Sequence, residues 1–153
     1  MTEPDPAGTG QARAILAALR DAGVAPQDVD YINAHASSTP LGDATETVAI
    51  KAALGEEKAR STPISSIKGA IGHCLGAAGA VEAAVTVLAV SHDIAPATIN
   101  YEDHDPSCDL DYVPNIARPA ELNMALSNSF GFGGHNAVLL LRRHEEDPTT
   151  QNA

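Results

Sequence analysis

Helices alternating with short apolar strands predict an α/β protein, a layered sheet between helices. A helical apolar pattern opens the chain, and short apolar runs bounded by turn residues recur along it. An alanine-rich apolar stretch from Leu75 to Val90 is too long for a strand. The 153 residues are one domain's worth, and a 44% hydrophobic content with only 3% aromatics implies a core closely packed from small side chains.

Residues 1–8 read as a loop. A helix starts at Gly10, with Ala14, Ile15, Ala18 and Leu19 on one face, Arg13, Arg20 and Asp21 on the other, and Gly23 as its C-cap. Pro26-Gln27-Asp28 is a turn, and Val29 to Ala34 a short strand. Pro40 suits the first turn of a second helix running to about Leu54, with Ala44, Val48, Ile50, Ala52 and Leu54 partly buried. Gly55 stops that helix, and Glu56 to Arg60 forms a solvated connector. Thr62 to Ser66 is extended. Leu75 to Val90, whose one charge is Glu82, reads as a buried helix. Pro96 to Asn100 and Leu110 to Val113 flank an acidic loop. Asn123 to Ser129 and Asn136 to Arg142 are the last strands, the final one buried along much of its length. Residues 1–144 form the domain, and 145–153 a polar, frayed tail.

Composition excludes several functions. The net charge is −11 and the only adjacent basic pair is Arg142-Arg143, so no concentrated positive surface is available for nucleic acid. No unbroken run of 18 apolar residues exists, which argues against a membrane span. The acidic, proline-broken start is unlike a signal peptide. Cys74 and Cys108 sit in unrelated contexts and read as free thiols of a reducing cytoplasm. No CxxC or HxxxH spacing is present, so no metal site is expected.

Three motifs could carry chemistry. Asn33-Ala34-His35-Ala36-Ser37-Ser38-Thr39-Pro40 ends a strand with an imidazole and then offers three hydroxyls. His35 is either a hydrogen-bonded structural residue or a catalyst, and the hydroxyls are either helix caps or contacts for an extended polar ligand. Lys68-Gly69-Ala70-Ile71-Gly72-His73-Cys74-Leu75-Gly76-Ala77-Ala78-Gly79 places His73 just before the apolar helix. There it either caps that helix or, kept neutral by the helix terminus, donates a hydrogen bond to a developing enolate. Glu82 needs a partner in so apolar a helix unless it faces solvent, and Lys68 is the candidate. Asn128-Ser129-Phe130-Gly131-Phe132-Gly133-Gly134-His135 is a glycine-rich turn, either an ordinary hairpin turn or a site where amides converge on one point, with His135 as its support.

Taken together and in this order, these motifs resemble the C-terminal half of the β-ketoacyl-(acyl-carrier-protein) synthases, most closely the elongating synthase II type. Type II polyketide ketosynthases are close relatives. Leu75-Gly76-Ala77-Ala78-Gly79-Ala80-Val81-Glu82, Pro96-Ala97-Thr98-Ile99-Asn100 and Cys108-Asp109-Leu110-Asp111 extend the likeness from about Thr2 to Arg143. Ala36-Ser37 stands where glycine and threonine are commoner, and Cys74 where the family commonly has an apolar residue.

The resemblance implies one half of a thiolase-like fold, layered α-β-α with a five-stranded mixed sheet. It implies decarboxylative Claisen condensation of malonyl-carrier protein with an acyl thioester in fatty-acid elongation. His35 and His73 would stabilise the enolate. The Phe132 backbone N–H would join an oxyanion hole, with the Phe132 ring gating the acyl pocket. Ser37 and Thr39 would contact phosphopantetheine, with Phe130 also in the substrate site. Lys68 and Glu82 would form a charged pair, and Glu82, Gly131 and Gly133 would support the site. No cofactor is implied beyond the carrier's phosphopantetheine. The implied partners are acyl carrier protein, an N-terminal half bearing the nucleophilic cysteine that this chain lacks, and a second copy in a complete homodimer. Alone, the chain is expected to be inactive and poorly soluble. The competing readings are a non-catalytic partner subunit of the chain-length-factor type, a polyketide ketosynthase fragment, and a relic.

Overall fold

The structure, a computed structural model, describes residues 4–144. The polar tail expected over 145–153 lies outside the described residues. The chain runs α1 (Thr9–Ala22), β1 (Tyr31–Asn33), α2 (Gly42–Leu54), α3 (Glu56–Ser61), β2 (Ile64–Ser65), α4 (Lys68–Ile71), α5 (Ala78–His92), β3 (Ile94–Ala95), β4 (Arg118–Pro119), β5 (Met124–Phe130) and β6 (Asn136–Arg142). The main sheet has the order β2-β1-β5-β6, and β3 pairs with β4 in a small sheet. β1 is parallel to β2 and to β5, whereas β6 runs antiparallel to β5.

Strand alternation builds the layers. Ile32 and Leu126, paired across β1 and β5, face α1 and α2 in a core with Ile15, Leu19, Ile50, Leu54 and Phe130. Tyr31 and Ala125, the neighbouring pair, turn the other way and pack with Ala89 and Val90 of α5, Val113 and Leu122. The result is the expected α-β-α sandwich. β1, β2 and β5 are parallel, so their carboxyl ends open on one edge of the sheet, where such folds place ligands. His35 follows β1, the Lys68–His73 segment follows β2, and Phe130 ends β5.

The expected five-stranded sheet is corrected to four. Leu110 to Val113 reaches the β2 edge, where Asp111 O accepts the Ile64 N–H at 2.8 Å. The ladder stops there, because the Asp111 carboxylate turns back to the Val113 N–H, Val113 adopts a φ of 46°, and Pro114 has no N–H to donate.

The outer elements also differ from expectation. α2 begins at Gly42, two residues after Pro40, and buries Thr45, Glu46, Thr47, Ala49, Ile50, Ala53 and Leu54, while Val48 is exposed. The solvated connector is a short helix, α3, with Glu56 and Arg60 paired along one side. The apolar stretch opens as a 3-10 turn (Leu75–Ala77), since Leu75 at φ 48° cannot enter an α-helix, and α5 follows. Only its inner face is buried. Ala80, Val81, Ala84, Val87 and Leu88 form an exposed stripe at helical spacing. By length and composition alone, Leu75–His92 could cross a membrane, but Glu82 at its middle is held in a buried ion pair with Lys68. β6 alternates, with Val138 and Leu140 against the α1 core and Leu139 half exposed.

Leu126 sits at the centre of the sheet and is fully buried. Leu126→Ala is predicted to lower the unfolding free energy by about 2–5 kcal/mol, read from urea unfolding. A loss within error of zero would contradict this core assignment.

Candidate active site

His35 and His73 meet at the open edge. Their ring centroids lie 5.5 Å apart, edge to face, and the His35 ring lies 6.1 Å from that of Phe130. Gly72, with φ 74° and ψ 178°, ends α4 and swings the chain out so that His73 faces β1's exit. The apolar helix begins only at Ala78, so His73 does not sit at its terminus as the sequence suggests. The Leu75 N–H donates to His73 Nδ1 at 3.0 Å, which turns Nε2 toward the open edge. His35 is neutral. Burial first, and then the nearby Lys68 and His73, lower its pKa from 6.5 to about 4.

Lys68 and Glu82 form a buried ion pair, their side chains 7% and 2% exposed. Asn33 at the end of β1 donates to the Glu82 backbone oxygen at 3.1 Å and to Thr86 Oγ1 at 3.1 Å. The expected partnership is therefore present and tied to the strand that leads into His35.

Ser37 and Thr39 line a cleft of about 730 Å³ together with Lys68, His73 and Thr98. Thr39 also caps α2, its Oγ1 accepting the Gly42 N–H at 3.2 Å. A Cβ at position 42 would lie 2.3 Å from that oxygen, so a side chain there would displace the Thr39 hydroxyl. Asp43 Oδ1 holds the loop from the other side through the Ser38 N–H. Glu102, Asp103 and Asp105 also line this cleft.

Phe130 is buried beside His35, whereas Phe132 is 77% exposed on the 3-10 turn Phe132–Gly134. Gly131 N–H donates to His135 O at 2.8 Å and closes that turn, so His135 supports it through its backbone. Gly133 at φ 71° makes the bend. Cys74 and Cys108 are free. Among the described residues, no group of three or more His, Cys, Asp or Glu side chains could hold a metal ion.

One site residue escaped the sequence reading. Glu46, 3% exposed, accepts the His35 N–H at 3.0 Å, the Ala36 N–H at 2.8 Å and the Asn128 side-chain amide at 2.9 Å. Burial raises its pKa, and the three N–H donors work against that rise. The signal was available: Glu46 falls in helical register with Ile50 and Ala53, a charge on an apolar stripe.

Comparison with known proteins bears on the family and the fold. The family model described as "Beta-ketoacyl synthase, C-terminal domain" matches residues 1–102. A 3-oxoacyl-(acyl-carrier-protein) synthase 2 from Synechocystis sp. is 52% identical over 95% of this chain and 35% of its own length. The chain thus spans about a third of the curated relatives it matches. Among solved structures, a type II polyketide-synthase acyl-carrier protein in complex with its ketosynthase superposes with a TM-score of 0.91 and 41% identity, covering 95% of this chain and 35% of that one. The ishigamide ketosynthase/chain length factor gives 0.88 and 40%, over 94% and 34%. The α/β fold is that of ketosynthases.

Lys68→Met is predicted to cost about 3–5 kcal/mol, because Glu82 is left buried and unpaired, while Lys68→Met with Glu82→Leu recovers most of that loss. Equal loss in the single and double variants, by urea unfolding, would contradict the pairing.

His35 has a folded pKa below its ordinary value, so between pH 6.5 and about 4 the unfolded chain binds the additional proton. Its contribution to stability is present above pH 6.5 and is lost as pH falls toward about 4. Across that window His35→Gln should show a shallower fall in urea midpoint than the unchanged chain. Identical slopes would contradict a buried neutral imidazole.

Proposed function

The chain belongs to the β-ketoacyl synthase family through its C-terminal domain, and on that premise we propose that it supplies the decarboxylating half of a fatty-acid-elongating condensing enzyme. The observation that carries this reading is the pair of imidazoles 5.5 Å apart at the open edge of the sheet. Malonyl-carrier protein enters with its pantetheine arm along Ser37 and Thr39. The bond between the malonyl α-carbon and its carboxylate breaks, carbon dioxide leaves, and the electron pair moves into the enolate. The N–H groups of His35 and His73 meet the charge that develops on the thioester oxygen. Donors preset for that charge stabilise the transition state more than the ground state. The enolate carbon then attacks an acyl thioester on the cysteine of an N-terminal half, and that thiolate leaves. The Phe132 amide, with one beside that cysteine, receives the second oxyanion, and the exposed Phe132 ring gates the acyl pocket.

The N-terminal half would also cover the apolar stripe of α5 and the exposed Leu139. Apolar surface of this kind marks an interaction face, and its exposure in the single chain explains the low solubility expected of it. The chemistry asks for no cofactor beyond the carrier's pantetheine. Free Cys74 and Cys108 suit a reducing cytoplasm. A homodimer of complete enzymes is part of this reading. The neighbour described with a chain length factor raises the alternative of a partner subunit. The paired imidazoles and Lys68 favour the catalytic reading, since such a partner needs no enolate site.

Combined with a ketosynthase N-terminal half, His35→Ala and His73→Ala are each predicted to lower kcat for malonyl decarboxylation by about 10²–10³. Carbon dioxide release at the unaltered rate in either folded variant would remove that histidine from the mechanism.

A further inference from the structure

Glu46 is buried, ionisable and unused by the chemistry above. Its two oxygens grip two different strand ends. Oε1 takes the His35 N–H and the Asn128 side-chain amide, and Oε2 takes the Ala36 N–H. His35 and Ala36 leave β1, whereas Asn128 lies in β5, two residues before Phe130. An ionised carboxylate alone among side chains offers acceptors to three N–H donors with no proton to set against them.

We propose that Glu46 is a positioning residue that registers the His35 loop against the strand carrying the glycine turn. It fixes the separation across which the enolate and the acyl group must meet. This rests on the reading of His35 as an enolate donor. Glu46 touches no reacting atom, so its effect on rate comes from placement, and a misplacement of about 1 Å is enough to cost about 10²-fold.

Glu46→Gln tests the grip, because its NH₂ must face either the Ala36 N–H or the His35 and Asn128 donors. Two readouts are needed. In the chain itself, hydrogen exchange at the His35 and Ala36 amides should quicken. In the chain combined with a ketosynthase N-terminal half, kcat for malonyl decarboxylation should fall about 10²-fold with KM for malonyl-carrier protein unchanged. Glu46→Asp keeps the charge but withdraws it by one methylene, and should lose kcat in the same way. Unaltered kcat in either folded variant would overturn the proposal. So would a rise in KM alone, unchanged exchange at both amides, or loss of folding in both variants, which would make Glu46 a stability residue only. If His35→Ala leaves decarboxylation intact, the enolate reading fails instead, and amide exchange still reports the grip.

Discussion

The buried pair between Lys68 and Glu82 is the interaction on which the site depends. Glu82 lies on the buried face of the most apolar helix, where an unpaired carboxylate would be costly, and Lys68 lies in the short helix just before His73. The pair fastens α4 to α5, and Gly72 and His73 bridge the two. The Glu82 backbone oxygen takes the Asn33 amide, so β1 is tied to the same helix. The Lys68 charge also helps keep His35 neutral, after burial. One ion pair thus helps place both imidazoles and hold His35 in the protonation state that the proposed chemistry asks of it.

The sheet supplies the rest of the geometry. Three parallel strands end together, and alternation sends their buried amides to opposite faces. Asn33 reaches α5, and Asn128 reaches Glu46 on α2. Each of these two amides is met by a helix that packs on its face. The antiparallel β6 forms one edge of the sheet, with Leu139 half exposed on it.

Much of this was legible in the sequence. The His35 and His73 motifs stand out because small residues surround a polar ring at the end of an apolar run, and the lone Glu82 pointed to Lys68. Glu46 did not stand out, because hydrophobicity marks only part of the buried face of its helix: Ile50 and Leu54 are buried as expected, whereas Val48 and Ala52 are exposed. Ala44, Val48 and Ala52 are apolar, but the fold buries Thr45, Glu46 and Ala49. A buried face chosen for its hydrogen bonds is not marked by hydrophobicity. The fifth strand failed for another reason, since one backbone bond from Asp111 is not a ladder and Pro114 prevents more. The late start of α5 depended on Leu75 at positive φ, which residue type does not announce.

The central claim is that two neutral imidazoles share one developing oxyanion. The most direct test is ¹⁵N NMR of the His35 and His73 side chains, in the chain combined with an N-terminal half. A non-decarboxylating enolate analogue of malonyl-pantetheine is added at neutral pH. Both ring N–H resonances should move downfield together while both rings stay singly protonated. Movement of only one ring, or protonation of either, would contradict the account.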